Sequence, residues 1–224
     1  MIQENAGISD AAHRRIRGDI IFGRLAPGQR LRLETLRDSY EVSVSTLREI
    51  LNRLASEGLV SAEGQRGFQV SPISEHNLRE VAALRLLLEG HALAQSFAAG
   101  NVEWEAGVVA SHHKLATMER RMAQGDQSET ETWKRYDWEF HQSLIAACGS
   151  SLLMQTHAQI FDKYLRYQMI ALSFRGDIAA AEHRELMDCA LRRDAGRAQE
   201  VLRLHVEGGV EHALETGALA GLWS

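Results

Sequence analysis

The sequence predicts a mainly α-helical fold in two parts, on three observations. Apolar residues recur at helical spacing along most of the 224 residues. The chain contains only two prolines, Pro27 and Pro72, so nothing after position 72 interrupts a helix in this way. A strand-like pattern is confined to residues 59–71, where it surrounds a glycine-containing turn. We therefore expect a small N-terminal unit with a minor β component, followed by an all-helical bundle of six to seven helices.

Composition limits the class of protein. Hydrophobic residues make up 45% of the chain and charged residues 25%, which suits a packed core and excludes a disordered or collagen-like chain. The two cysteines, Cys148 and Cys189, cannot form a disulfide framework, which favours a reducing compartment. The first residues lack the basic and apolar regions of a secretory signal, and no apolar stretch reaches membrane-spanning length. We therefore expect a cytoplasmic protein without membrane contact.

Charge is distributed unevenly along the chain. Residues 1–72 contain ten arginines, no lysine and nine acidic residues, whereas residues 73–224 carry a net charge of −6. An arginine-rich front joined to an acidic back indicates two domains with different partners. We predict a first domain over 1–72, a linker over 73–77 and a second domain over 78–224.

Three helices and a hairpin are predicted in the front domain. Ser9 can cap the first helix, Ser43 can cap the third, and Gly58 ends the third. This order is typical of a winged helix-turn-helix with a small β-hairpin wing. The predicted helices cover about 9–24, 33–40 and 44–57, a short extended piece lies within 25–32, and the strands cover 59–63 and 67–71.

The third predicted helix carries side chains suited to DNA recognition. A helix that enters the major groove presents its first turn to base edges, and its N-terminal amides favour phosphate. Arg48 can reach a guanine or a phosphate, and Arg66 at the hairpin tip can reach the DNA backbone or minor groove. The hydroxyls of Ser43, Ser45 and Thr46 can contact phosphates or bases. On spacing alone, a helical domain with a solvated arginine face explains these residues equally well.

The segment LREILNRLASEGLVSAEGQRGFQV resembles the GntR family of bacterial transcription regulators. The resemblance covers about residues 10–72 and implies a DNA-binding winged helix with Gly67 in its wing. Val44 departs from the arginine that is usual in the family after the capping serine, which removes one expected DNA contact. The matching pieces are Val42-Ser43, Leu47-Arg48-Glu49-Ile50-Leu51, Arg53-Leu54, Glu57-Gly58-Leu59-Val60 and Arg66-Gly67-Phe68.

Six helices are predicted in the back domain. Most of the breaks between them contain a glycine with a polar neighbour, as helix ends prefer. The first of these helices is apolar on most faces, so we expect it to lie at the centre of the bundle. The predicted helices cover about 75–99, 102–124, 128–147, 150–174, 178–193 and 195–215.

Four residues of the back domain form a candidate metal site. Asp137 and His141 are one helical turn apart, and His183 and His205 lie on two further helices among apolar positions. A carboxylate and three imidazoles from three helices can converge on one divalent transition metal. Spacing alone is weak evidence, because an Asp-x-x-x-His pair also occurs by chance. The remaining bundle histidines considered, His112, His113, His157 and His212, are interpreted as surface or core residues.

The same region resembles the FCD effector domain of GntR regulators. The resemblance covers about residues 75–215 and rests on Arg85-Leu86-Leu87-Leu88-Glu89, Asp137-x-x-Phe140-His141, Glu182-His183 and His205. It implies that Asp137, His141, His183 and His205 bind a divalent transition metal, zinc or nickel. It also implies that Arg85 anchors the carboxylate of a small organic acid, for which a salt bridge to Glu89 is the alternative role.

These expectations describe a homodimeric transcription repressor. It would bind a short palindromic operator in double-stranded DNA and respond to a small carboxylate metabolite held at the metal. The alternative is a metal-dependent hydrolase with an accessory DNA-binding domain, because a metal with an open position can activate water. The sequence contains none of the common hydrolase or P-loop motifs, so we expect no enzymatic activity. A third possibility is a purely structural cluster in a bundle that serves only for dimerisation.

Overall fold

A computed structural model describes residues 2–62, 67–171 and 174–222 of the chain, with side chains from residue 7 onward. Within these residues the front part contains three α-helices and three short strands. Their bounds are α1 (Ile2–Ile21), β1 (Arg30–Leu31), α2 (Leu33–Tyr40), α3 (Val44–Ser56), β2 (Val60–Ala62) and β3 (Phe68–Val70). Six helices and a final 3₁₀ turn follow. Their bounds are α4 (Glu75–Ala99), α5 (Val102–Ala123), α6 (Thr130–Ile145), α7 (Ser151–Ile170), α8 (Asp177–Arg192), α9 (Ala195–Glu215) and Ala220–Leu222.

Helix α1 differs from its prediction at both ends. It begins at Ile2, so the prediction that Ser9 caps it is wrong, and it ends at Ile21 rather than near position 24. The residues before Ser9 contain no proline, and a serine caps a helix only where the preceding chain leaves helical geometry. By contrast, the predicted cap of α3 is present, because the Ser43 side chain accepts a hydrogen bond from the Thr46 amide at 3.1 Å.

The wing is a three-stranded antiparallel sheet in the order β1-β3-β2. The predicted hairpin is present, with Val60 opposite Val70, and β1 adds a third strand through the pairing of Leu31 with Phe68. Gly58 ends α3 with a φ of +75°, which places the chain at the start of β2. The three helices and the sheet share one apolar core, in which Ile16, Leu51 and Val70 are fully buried.

The bundle is built around α4, as its apolar sequence predicts. This helix packs against α6, α7 and α9, while α5 packs against α6 and α8. Because α4 is covered on several sides, even its polar residues Arg85, Glu89 and Ser96 are buried. A charged pair in the centre of a bundle is costly unless it is fully hydrogen-bonded, so these residues indicate a functional interior.

The front part and the bundle are in contact through α1 and α7. Ile21 of α1 packs with Phe161, Leu165 and Met169 of α7. The connecting segment is short, because α4 begins at Glu75, so residues 75–77 of the predicted linker are helical. None of the described helices is long and apolar enough to cross a lipid bilayer.

Candidate metal centre and DNA-binding surface

Three helices bring the four predicted metal-site residues together. Asp137 and His141 project from one face of α6, His183 from α8 and His205 from α9. One potential ligand atom from each residue lies within 4.8 Å of the others, and all four residues are buried. The centroids of the His183 and His205 rings are 4.6 Å apart. The Asp137 Oδ1 atom lies 3.3 Å from His183 Nε2 and 3.7 Å from His141 Nε2.

Each histidine of the cluster is oriented by a glutamate. The Nδ1 atoms contact the carboxylates, which leaves the Nε2 atom of each ring for another partner. Carboxylates commonly hold metal-binding histidines in this way, because the contact fixes the tautomer and the ring orientation. The pairs are His141 with Glu89 at 2.5 Å, His183 with Glu119 at 2.6 Å and His205 with Glu182 at 2.8 Å.

The cluster is suited to a divalent transition metal because three of its polar atoms are buried without a hydrogen bond. Asp137 Oδ1, His141 Nε2 and His183 Nε2 are buried and form no hydrogen bond of good geometry, although Oδ1 and His183 Nε2 lie within ion-pair distance. Unpaired buried polar atoms are costly, and native interiors contain few of them. One cation coordinated by these atoms would satisfy all three. A set of imidazole nitrogens with one carboxylate oxygen also suits zinc or a neighbouring transition metal.

The electrostatics of the cluster keep its aspartate ionised and two of its imidazoles neutral. Burial raises the pKa of Asp137, but the nearby Lys134 ammonium and His183 outweigh this effect and hold it well below its ordinary value. Burial lowers the pKa of His141 and of His205, whose pKa is lowered further by the neighbouring imidazoles. Burial also lowers the pKa of His183, but Asp137 and Glu119 reverse this and raise it to about 9. Metal binding would therefore displace a proton from His183.

Arg85 is paired inside the protein and also faces the cluster. Its Nε atom donates to Glu89 Oε2 at 2.8 Å, and its Nη2 atom lies 3.1 Å from His141 Nδ1. The guanidinium stacks over the rings of Phe161 and Tyr164. Burial raises the pKa of Glu89, but Arg85 and His141 outweigh burial and hold it well below its ordinary value. The predicted alternative, a salt bridge to Glu89, is thus present.

A small cavity of about 20 Å³ adjoins the cluster, with Arg85 in its wall. This volume accommodates about one or two water molecules, so an organic acid could enter only if side chains moved. Sequence reasoning missed two cationic residues of the wall, Lys134 and Arg175. Lys134 is buried on α6, with Nζ 3.4 Å from Asp137 Oδ2, and its position one turn before Asp137 was a usable signal. Arg175 lies in the loop before α8, where no periodic pattern identifies an inward side chain.

His157 belongs to the same buried network, although its sequence pattern indicated only an ordinary surface or core residue. Its Nε2 atom lies 2.9 Å from Glu89 Oε2, and its Nδ1 atom lies 2.7 Å from the Gln142 amide nitrogen. Glu89 therefore contacts two histidines and one arginine. Residues 68 positions apart form the contact between His157 and Glu89, so no local pattern could indicate it.

The first turn of α3 presents the predicted DNA-contacting groups at the surface. Ser43, Ser45 and Arg48 are exposed and Thr46 is half-buried. The Ser43 hydroxyl lies 2.8 Å from the Ser45 hydroxyl and 2.9 Å from the Thr46 hydroxyl. Arg48 forms no ion pair with any residue that the structure describes, so its charge is available to a nucleic acid. Of the predicted wing contacts, Gly67 has a φ of +89°, and Arg66 lies outside the described residues.

This arrangement defines a class of protein: a winged helix-turn-helix joined to a helical bundle that encloses a histidine–aspartate cluster. The family model for the gntR family of bacterial regulatory proteins matches residues 8–70, and the model for the FCD domain matches residues 80–208. The chain belongs to the GntR family, in its FCD branch, and is a DNA-binding transcription regulator of this type.

Relatives and a solved structure agree with this assignment. The chain is 38% identical over 212 residues to the HTH-type transcriptional regulator BphR of Paraburkholderia xenovorans, covering 94% of this chain and 86% of BphR. It is 32% identical to the HTH-type transcriptional repressor GlaR of Escherichia coli, covering 87% of this chain and 90% of GlaR. McbR/YncC of E. coli shares the fold, with a TM-score of 0.76, 17% identity and coverage of 93% and 97% of the two chains. The names of these relatives describe transcription regulators, which favours a regulator over the alternative of a metal-dependent hydrolase.

Proposed function

We propose that the chain is a transcription repressor whose affinity for operator DNA depends on a small organic acid bound at a divalent metal in the bundle. One observation carries the proposal. Asp137, His141, His183 and His205 converge in the interior, and three of their potential metal-binding atoms are buried without a hydrogen bond. Such a cluster is costly for a bundle that serves only for dimerisation. The similarity to GlaR, which is named as a repressor, supports repression as the direction of control.

The metal in this proposal is held by the four residues of the cluster, with zinc or nickel as the best match to their donor atoms. When bound, it supplies an open coordination position to which a carboxylate can bind. The glutamates Glu89, Glu119 and Glu182 keep the three histidine rings in place. Their role is to orient the ligands and to raise the basicity of the imidazoles.

The cavity beside the cluster favours an anionic effector. Arg85, Lys134 and Arg175 all line it, whereas Asp137 is the one carboxylate in its wall, so an anion that enters can compete for cations now paired with Glu89, Asp137 and Glu182. A guanidinium can bind a carboxylate through two parallel hydrogen bonds, which is the role that we propose for Arg85. Because the cavity is smaller than an organic acid, effector binding requires side chains to move. The effector would therefore bind the conformation with the enlarged cavity more tightly than the conformation without it. Such a difference in affinity is the condition for allosteric control.

A route from the cluster to the DNA-binding domain runs along α7. Phe161 of α7 contacts the Arg85 guanidinium on its bundle side. The next residue, Asp162, pairs with Arg17 of α1, and Arg17 also pairs with Glu57 at the end of α3. We propose that movement of Arg85 on effector binding shifts α7 and thereby the recognition helix. In a homodimer this shift changes the spacing of two recognition helices over the half-sites of a palindromic operator.

The test is operator affinity measured with and without candidate effectors. A DNA fragment selected by binding to the purified chain would be titrated by fluorescence anisotropy in the presence of mono- and dicarboxylic acids. We expect one such acid to weaken binding by the wild type at least about fivefold, as is typical of allosteric coupling. The double variant His141→Ala/His183→Ala should bind the same DNA without responding to the acid, and His113→Ala, at an exposed position, should respond normally. A full response from the double variant would contradict the proposal.

A further inference from the structure

A second cavity, of about 540 Å³, lies where the winged helix meets the bundle. Its walls come from Gly58 after α3, from the connecting residues Ser71 to Ser74, and from α4 and α7. It shares no wall residue with the cavity beside the histidine cluster. A volume of this size is in the range of small-molecule sites, which are often found between domains.

The cavity contains a buried arginine without a counter-charge. Arg166 of α7 is only 4% exposed, and its Nη2 atom donates to the Ser71 carbonyl. Its Nε atom is buried without a hydrogen-bond partner. Among the residues that the structure describes, no carboxylate forms an ion pair with it. Burial lowers the pKa of Arg166 to about 10, so the guanidinium is charged at neutral pH. A buried charge of this kind is stabilised by an anionic partner.

Lys163 adds a second positive charge to the same wall. A Cβ atom at Gly58 would lie only 2.7 Å from Lys163 Nζ, so the ammonium reaches the end of α3. Lys163 has no ion-pair partner in the described parts of the chain. The one acidic residue in the wall, Glu80, already contacts His76 and Asn77 at the surface. The charged wall residues therefore leave a net positive cavity.

We propose that this junction cavity is a second ligand site, which binds a small organic anion by a phosphate or carboxylate head at Arg166 and Lys163. Val81, Leu84 and Ile160 also line the cavity and provide apolar surface for the rest of the molecule. Arg166 lines the cavity, so a charge-assisted contact to its guanidinium would supply the missing counter-charge. Because α3, the connecting segment and α7 all form the walls, an occupant ties the DNA-binding domain to the bundle. This regulatory consequence rests on the proposed function, whereas the binding itself does not.

The experiment measures anion binding to the full chain by thermal unfolding. Inorganic phosphate and acetate would each be titrated at constant ionic strength against chloride, because a ligand of the native state raises the melting temperature in a dose-dependent way. We expect a response to at least one anion. Lys163→Gln and Arg166→Gln should weaken its apparent affinity about tenfold, which corresponds to the loss of one charge-assisted contact. Lys114→Gln, an exposed lysine on α5, is the matched control and should match the wild type.

Two further variants separate the junction cavity from the metal centre and from the DNA-binding function. His183→Ala, which removes a metal ligand, should retain the anion response, and Glu80→Gln, which removes the acid from the wall, should strengthen it. The proposal is overturned if no anion raises the melting temperature beyond chloride. It is equally overturned if His183→Ala loses the response while Lys163→Gln keeps it, since the anion would then bind at the metal centre. If Arg166→Gln does not fold, Lys163→Gln alone decides the result. None of these readouts depends on operator binding.

Discussion

The Oε1 atom of Glu119 lies 2.6 Å from the Nδ1 atom of His183, although the two residues are 64 positions apart. Glu119 is on α5 and His183 is on α8, and these two helices pack against each other in the bundle. The contact turns the imidazole so that its Nε2 atom lies 3.3 Å from Asp137 Oδ1. The geometry of the candidate metal centre therefore depends on helix packing as well as on the four proposed ligands.

Removing the Glu119 carboxylate should weaken metal binding. The Glu119→Gln variant keeps the shape of the side chain but loses the charge that orients and polarises the His183 ring. We expect metal affinity to fall about 10- to 100-fold, measured by competition with a chromogenic chelator. Glu139→Gln, at a partly exposed position on α6, is the control and should bind metal like the wild type. Equal affinity in the two variants would show that Glu119 does not support the metal.

Much of the fold could be predicted because its signals are local. The breaks between the bundle helices are marked by glycine and polar residues, and the end of α3 is marked by Gly58, whose φ of +75° few other residues adopt readily. The prediction that Ser9 caps α1 was wrong because a serine side chain does not itself indicate whether the preceding residues are helical. Strand β1 was predicted only as an extended piece, since its pairing joins Leu31 to the distant Phe68.

Of the candidate metal centre, only the four proposed ligands could be predicted from the sequence. Asp137 and His141 share one face of α6, His183 and His205 lie among apolar positions of two further helices, and the resemblance to the FCD domain supports all four. The three orienting glutamates, the cavity and the role of Lys134 depend on how helices pack, because each contact between helices joins residues far apart in sequence. The same reason explains why Arg166 and Lys163 carried no signal: their importance arises from the junction between two domains.

Arg48 should determine the affinity for operator DNA. It is exposed in the first turns of α3 and unpaired among the described residues, so its removal costs contacts with DNA and none within the protein. For Arg48→Ala we expect operator affinity to fall by about 1–3 kcal/mol, or roughly five- to 150-fold, at constant salt. Fluorescence anisotropy measures the affinity, and the melting temperature should not change. Arg203→Ala, on the exposed face of α9, is the matched control, and an equal loss of affinity there would refute the assignment.

Arg17 should transmit the effector signal. It pairs with Glu57 at the end of α3 and with Asp162 on α7, and so joins the recognition helix to the bundle. In the Arg17→Gln variant we expect the metal and the operator to bind nearly as before, while the effect of the organic acid on operator affinity decreases severalfold. The measurement is operator affinity with and without the acid. An unchanged ratio of the two affinities would exclude this route.

His13 should make the stability of the DNA-binding domain depend on pH. Burial lowers the pKa of His13, with Glu57 opposing and Arg53 adding to the effect, so the folded state binds its proton less readily than the unfolded state. The free energy of unfolding should therefore decrease as the pH falls from about 7 to 5.5, through the ordinary histidine pKa of about 6.5.

The His13 contribution can be isolated in metal-free protein by urea denaturation at the two pH values. His13→Gln should show a smaller decrease in the free energy of unfolding than the wild type, by up to about 1 kcal/mol. His76→Gln, at an exposed position on α4, should retain the wild-type decrease. The explanation is wrong if the two variants show the same dependence on pH.

The most direct test of the account is elemental analysis of the chain purified without chelators, compared with His183→Ala. His113→Ala serves as the control, because His113 is exposed on α5 and is not one of the four proposed metal ligands. The account predicts about one divalent transition-metal ion per chain in the wild type and in His113→Ala, and a loss of most of that metal in His183→Ala. Equal metal content in all three proteins would contradict the four-residue site, and so would a wild type that binds no metal even when zinc or nickel is supplied.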